Sequence, residues 1–226
     1  KDLGINVDVK SLDGGQAVRR AASISNRISK GVSFLMKKNK IEVIEGKGTL
    51  ASSQSINVVL KDGKKEKVDA TDIIIASGAG YRTFPGLEHD NKRLVGAWEA
   101  LAIEKLPKSV GIIGAGAIGV EFAYFWNAFG VDVHIFEMMP NLLPIEDTDS
   151  SVELEKAYKK YGIKMSLGVD KVQAKNNGPD VTITCVEKGK ETKHQFEMGL
   201  IAVGMTGNID NIGLETVGVQ TAWILR

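Results

Sequence analysis

The chain has 226 residues, with 29 Lys and Arg against 28 Asp and Glu, a net charge of +1, and 43% hydrophobic residues. Its interspersed charges leave no basic footprint for nucleic acid and no acidic tail; its length could hold one large or two small domains, and its apolar content supports a real core. Cys185 is the only cysteine, which excludes an intrachain disulfide framework and any four-cysteine metal site and makes a cytoplasmic location the expectation.

The start KDLGINVDVK carries no signal-peptide pattern, and the apolar runs are too short and too interrupted by glycine to span a bilayer. Without an initiating Met, and with Thr221 to Arg226 reading as the middle of an element, the sequence is expected to be a fragment. From Ser11 to Asn39, apolar residues Ala17, Val18, Ala21, Ile24, Ile28, Val32 and Leu35 predict a long amphipathic helix. Its Arg19, Arg20, Arg27, Lys30 and Lys37 are expected on a solvated face. Ile41 to Ile44 reads as a strand leading into Gly46 and Gly48. The alternating run Ser55 to Leu60, the turn signal Asp62-Gly63 and Val68 predict a small antiparallel unit. Ile73 to Ala76 reads as a buried strand ending in Ser77-Gly78-Ala79-Gly80, which suits either a ligand edge or a plain turn.

Phe84-Pro85-Gly86 breaks the chain, and a short helix from Ala97 to Ile103 follows. The stretch VGIIGAGAIGVEFAYFWNAFGVDVHIFE, residues 110–137, then organises everything around it. Val110 to Ile113 reads as a buried strand, and Gly114, Gly116 and Gly119 set the spacing GxGxxG on entry to a helix. Gly114 would permit the tight turn, Gly116 would let the backbone approach a pyrophosphate, and Gly119 would let helix and strand pack closely. The phosphates would meet the free N–H groups and positive dipole of the helix N-terminus. That helix carries Val120, Phe122, Ala123, Phe125 and Trp126, stops near Phe129-Gly130, and gives way to Val131, Val133 and Ile135. The run ends on Glu137, close to the roughly 20-residue spacing at which an acid accepts the adenosine ribose hydroxyls.

Met138 to Pro144 reads as a loop, Asp149 to Tyr161 as a helix with Asp147, Thr148 and Asp149 as capping candidates, and Ile163 to Leu167 as a strand. Val169 to Ala174, Val181 to Val186 and Thr192 to Glu197 predict a β-meander with turns at Asn177-Gly178 and Lys188-Gly189. Leu200 to Val203 is a last apolar strand into Gly204. Cys185 is expected to be a buried structural thiol. His89, His134 and His194 stand in no cysteine or paired-carboxylate pattern along the chain, so core or surface roles are expected and no metal site is predicted.

Three landmarks in fixed order, IIIASGAGYRTFPGL at 73–87, GAGAIGVE at 114–121 and GLIAVGMTGNIDNIGLE at 199–215, make the chain resemble the pyridine nucleotide-disulfide oxidoreductases over nearly its whole length. Within that family the branch acting on dihydrolipoamide is the nearest match. The resemblance implies an α/β fold: a Rossmann-like NAD-binding domain with a central parallel sheet and a β-meander over residues 87–205, a partial FAD-binding domain over 1–86, and a return to it over 206–226. It implies NAD contacts at Gly114, Ala115, Gly116, Ala117, Ile118, Gly119, Val120 and Glu121, with Glu137 on the ribose, Val172 against the adenine and Gly204 near the nicotinamide. FAD contacts are implied at Gly48, Ser77, Gly78 and Ala79.

Ser77 stands where the family usually has Thr and keeps the hydroxyl, whereas Met205-Thr206-Gly207 replaces an Arg-containing run. In the family Glu121 pairs with a lysine near the flavin; read alone, it is a solvated helix carboxylate. The redox cysteines, spaced CxxxxC, would lie before Lys1 and the His-Glu acid/base pair after Arg226, leaving no catalytic residue in this stretch. The implied activity is oxidation of dihydrolipoamide through a disulfide and FAD, with hydride passing to NAD+. Its partner would be a lipoamide-bearing protein of a 2-oxoacid dehydrogenase complex, and the full-length protein would be a homodimer. A glutathione or mercuric reductase, or a non-catalytic NAD-binding module, are the alternatives. Glu137, with no Arg or Lys in Met138 to Pro144, favours NAD over NADP.

Overall fold

A computed structural model describes residues 10–221. In chain order the elements are α1 (Gly14–Lys38), β1 (Gly46–Ser52), β2 (Ser55–Leu60), β3 (Lys65–Asp69), β4 (Ala79–Tyr81), β5 (Leu94–Val95), α2 (Ala97–Ala100), β6 (Ser109–Ile113), α3 (Ala117–Ala128) and β7 (Asp132–Glu137). There follow α4 (Thr148–Tyr161), β8 (Lys164–Leu167), β9 (Asp170–Asn176), β10 (Val181–Glu187), β11 (Lys190–Phe196), β12 (Met198–Ile201), β13 (Met205–Gly207) and a single 3-10 turn at Leu214–Val217. Two compact units emerge: the residues up to Ser25 with Tyr81–Gly204, and Asn26–Gly80 with the residues from Met205.

In the larger unit, five parallel strands lie in the order β5-β12-β6-β7-β8. Strand residues alternate between two buried faces, so the run of apolar residues reads as continuous. Val110, Ile112, Val133, Ile135, Met198 and Leu200 join a core with Ala123 and Trp126 of α3 and Tyr158 of α4. On the opposite face, Ile113, Phe136 and Ile201 meet Val172, Val181, Ile183, Cys185 and Phe196 of the antiparallel meander β9-β10-β11. Gly111 and Gly199 stand side by side in the β6-β12 register. A β-carbon on Gly111 would overlap Ile183 and Phe196, and one on Gly199 would crowd Leu94. Two glycines in register thus make the flat seat on which the meander rests.

The α/β class, the central parallel sheet and the meander agree with the sequence reading. Asp147 caps α4 by accepting from the Asp149 N–H at 2.9 Å, and Gly162 ends it in the left-handed region at φ 81°.

The smaller unit holds the antiparallel sheet β1-β2-β3. Two expected strands are absent there. Ile41 to Ile44 is irregular, with Ile41 and Val43 exposed, because Gly46–Ser52 is the segment that pairs with β2. Ile73 to Ala76 is likewise irregular, and Ile74 is 91% exposed. A buried parallel strand needs hydrogen-bonding neighbours and an apolar cover, and among the described residues neither meets this run. The α1 helix forms as predicted, but only Gly14, Gly15 and Val18 are buried along it.

Candidate functional site

At the carboxyl edge of the parallel sheet, β6 ends in the glycine turn, β7 ends on Glu137, and β12 ends in Ala202 to Gly204. That edge, where the strand order turns between β6 and β12, is where open α/β sheets bind ligands. Gly114 has φ 101°, and a side chain there would overlap the Ala202 carbonyl oxygen. Gly119 lies under the turn, where a β-carbon would overlap the Gly114 carbonyl oxygen. Gly116 differs from both: its φ of −69° suits any residue, and the position of its absent β-carbon faces open space. Gly116 is the N-cap of α3, whose first turn carries no acidic residue. The turn therefore has a cradle beside a helix N-terminus whose own first turn carries no negative charge.

Glu137 is 9% exposed. Its two carboxylate oxygens accept hydrogen bonds from the Ala115 N–H at 2.7 Å and the Met139 N–H at 2.8 Å. Each oxygen has a second lone pair, so the carboxylate is fixed in place and can still accept from a ligand. The Ala115 carbonyl accepts the Leu143 N–H at 2.9 Å, which folds the loop after β7 back over the turn. Ala115 and Val120 are buried, Ala117 and Glu121 are exposed, and Gly116 and Ile118 are half-buried. Gly204 is exposed with φ 112°, its carbonyl accepting the Arg82 N–H at 3.0 Å. Val172 of β9 is buried among Leu87, Phe136 and Val169.

Residues 114–121, Glu137, Val172 and Gly204 thus share the larger unit, while Gly48, Ser77, Gly78 and Ala79 fall in the smaller one. These four are exposed. Asn208 donates its side-chain amide to the Ser77 carbonyl at 3.1 Å and its backbone N–H to the Gly78 carbonyl at 3.0 Å, with Gly78 at φ 76°.

The family model described as pyridine nucleotide-disulphide oxidoreductase matches residues 7–224. The chain belongs to that family. It is 38% identical over 221 residues to a dihydrolipoyl dehydrogenase of Chlorobaculum parvum, and 39% identical over 219 residues to one of Mycobacterium tuberculosis; each match covers 97% of this chain and 47% of the relative. The chain thus spans about half the length of the curated relatives it matches. Its fold matches LpdA of Mycobacterium tuberculosis with a TM-score of 0.86 at 23% identity, over 98% of this chain and 48% of that one. It also matches the flavoprotein disulfide reductase RclA of Escherichia coli with a TM-score of 0.80 at 23% identity, over 95% and 48%. Pyridine nucleotide-disulphide oxidoreductases use FAD and NAD, and the open space at Gly116 and the acid-free first turn of α3 fit the pyrophosphate of such a nucleotide. Among the described residues no helix is long and apolar enough to cross a membrane.

Several polar partners escaped the sequence reading. The Tyr158 hydroxyl donates to the Val120 carbonyl at 2.6 Å, tying α4 to the first turns of α3, and burial pushes its pKa up to about 12. The separation along the chain hides that bond. Cys185 is fully buried as expected, and burial raises its thiol pKa. The histidines stand in no cysteine or paired-carboxylate pattern along the chain, yet the strand register brings such groups close to one of them in space. Pairing of β10 with β11 sets Thr192 opposite Cys185 and His194 opposite Ile183, and brings Glu187 within 3.3 Å of the His194 ring. His134 stacks on Phe136 and meets the edge of His194, and burial foremost pushes its pKa down to about 4.

Proposed function

We propose that this chain supplies the NAD-binding domain, residues 87–205, and parts of the FAD-binding domain, residues 1–86 and 206–226, of a dihydrolipoyl dehydrogenase. The observation that carries the reading is the glycine turn locked to Glu137 at the carboxyl edge of the sheet, in a chain whose relatives bear that name. The pyrophosphate would occupy the space above Gly116 and take hydrogen bonds from the N–H groups that open α3. Gly114 and Gly119 hold the turn, and Ala117, Ile118 and Glu121 border it. Glu137 would accept the ribose hydroxyls, Val172 would line the adenine, and Gly204 would lie near the nicotinamide. On the flavin side, Gly48, Ser77, Gly78 and Ala79 would meet FAD. Bound in these sites, FAD and NAD+ supply the electron and hydride carriers, and the protein supplies position and electrostatics.

The dithiol would arrive on a lipoamide-bearing protein of a 2-oxoacid dehydrogenase complex, and the whole protein would act as a cytoplasmic homodimer. Oxidising that dithiol requires thiol-disulfide exchange with a cysteine pair. Cys185 is single, buried and raised in pKa, so the pair must come from elsewhere in the protein. Turnover of dihydrolipoamide with NAD+ is the test, on this chain extended to the length of its relatives with FAD bound. The extended protein should reduce NAD+ with dihydrolipoamide in preference to glutathione. Failure on dihydrolipoamide with turnover of another disulfide or dithiol would replace the substrate and leave the family intact.

A further inference from the structure

Away from the glycine turn, the meander and the edge of the parallel sheet enclose a cluster that the nucleotide site does not use. The side chains of Cys185 and Glu187 share one face of β10, and Thr192 and His194 share the same face of β11. One ligand atom from each of Cys185, Glu187 and His194 lies within 4.8 Å of the other two. Glu187 Oε1 is 3.3 Å from His194 Nε2 and 3.6 Å from Cys185 Sγ. Ligands at ordinary zinc bond lengths stand about 3.3 to 3.6 Å apart along the edges of a tetrahedron.

We propose that Cys185, Glu187 and His194 bind a divalent transition metal of the zinc class, with the fourth position open to water. Thiolate, carboxylate and neutral imidazole are the donor types such an ion selects. Their combined charge of two negatives neutralises a dication in a half-buried place, where an unpaired charge would be costly. The proton leaving the Cys185 thiol passes to solvent as the metal binds.

A supporting shell is already built. Ser166 Oγ donates to Glu187 Oε1 at 2.9 Å and lies 2.9 Å from His134 Nε2. Because the serine has one proton to give, His134 must donate to it, which fixes the tautomer. The chain His134, Ser166, Glu187 orients the carboxylate as outer partners orient metal ligands elsewhere. Thr192 Oγ1 lies 3.3 Å from both Cys185 Sγ and His194 Nε2. Side-chain exposures of 32% for Glu187 and 27% for His194 leave a way in. A bound ion would cross-link β10 to β11.

The single cysteine makes the test clean. Under anaerobic conditions, with a thiol-free phosphine reductant, the chain is titrated with Co2+, and a thiolate-to-cobalt charge-transfer band in the near ultraviolet must come from Cys185, the one thiol in the sequence. The expected result is one Co2+ per chain with that band, bleached by Zn2+, and a thermal melt that Zn2+ raises. Cys185→Ser should abolish the band, and Glu187→Gln and His194→Gln should each lower Co2+ affinity by at least about tenfold. Metal-free melts identify any variant that fails to fold; should Cys185→Ser be one, the two half-exposed positions carry the test. Absence of the band, or a band whose affinity ignores both Glu187→Gln and His194→Gln, would overturn the proposal and leave a hydrogen-bonded core cluster.

Discussion

Gly114, Gly116 and Gly119 lack a β-carbon for three different reasons, and their substitutions should separate accordingly. Gly114→Ala would force a side chain onto φ 101° and against the Ala202 carbonyl, which should cost about 2 to 5 kcal/mol from backbone strain and overpacking together. Gly119→Ala should also destabilise, because the added carbon meets the rigid Gly114 carbonyl. Gly116→Val places its side chain in open space at an extended backbone. It should melt within a few degrees of wild type and yet lose NADH affinity by at least about tenfold, since the pyrophosphate needs that space. Thermal melts beside NADH titrations check all three; a Gly116→Val protein that melts early and binds normally would make that glycine structural. The motif's spacing made the turn legible, and positive φ at Gly114 and the tight seat of Gly119 follow the roles read from it. The hold of Glu137 on Ala115 N was invisible, because a sequence does not say which of several donors a carboxylate will choose.

At the scale of elements, both faces of the parallel sheet are buried, and the meander's seat depends on Gly111 and Gly199 lying in register. Gly111→Ala should destabilise the chain by about 1 to 3 kcal/mol through overpacking against Ile183 and Phe196. Denaturant melts measure it, and Ile183→Ala in the same chain should recover part of the loss by removing the collision. Most strands of this unit were legible from their apolar runs and turn signals because their hydrogen-bonding neighbours lie within the same unit; β5 is only two residues long and carries no such signal, and β12 begins at Met198, two residues before the expected Leu200. The same signal misled at Ile41 to Ile44 and Ile73 to Ala76. An apolar run states what a segment could bury; whether a partner stands beside it is a tertiary fact. The polar cluster of Cys185, Glu187 and His194 escaped for a related reason: its members fall within ten residues at no familiar ligand spacing, and only the hairpin register puts their side chains on one face.

For the molecule as a whole, the proposed division of labour puts nucleotide binding in this chain and dithiol chemistry on a cysteine pair that it does not carry. The 226 residues alone, given FAD, NAD+ and dihydrolipoamide, should therefore show no turnover above the uncatalysed rate, because one cysteine cannot form the required intrachain disulfide. An NADH-formation assay reads this directly, and sustained turnover by the chain would misplace the chemistry. The nucleotide site should nonetheless discriminate. Glu137 is anchored by two backbone N–H groups, and the loop from Met138 to Pro144 offers no cation to a 2′-phosphate. A hydrogen bond to a charged group contributes about 1.5 to 3 kcal/mol, or roughly tenfold to a hundredfold in affinity. Calorimetric titration of the chain with NADH and with NADPH is the most direct measurement of the central claim: NADH should bind tighter by that factor, with the preference shrinking in Glu137→Ala, whereas equal or tighter binding of NADPH would contradict it.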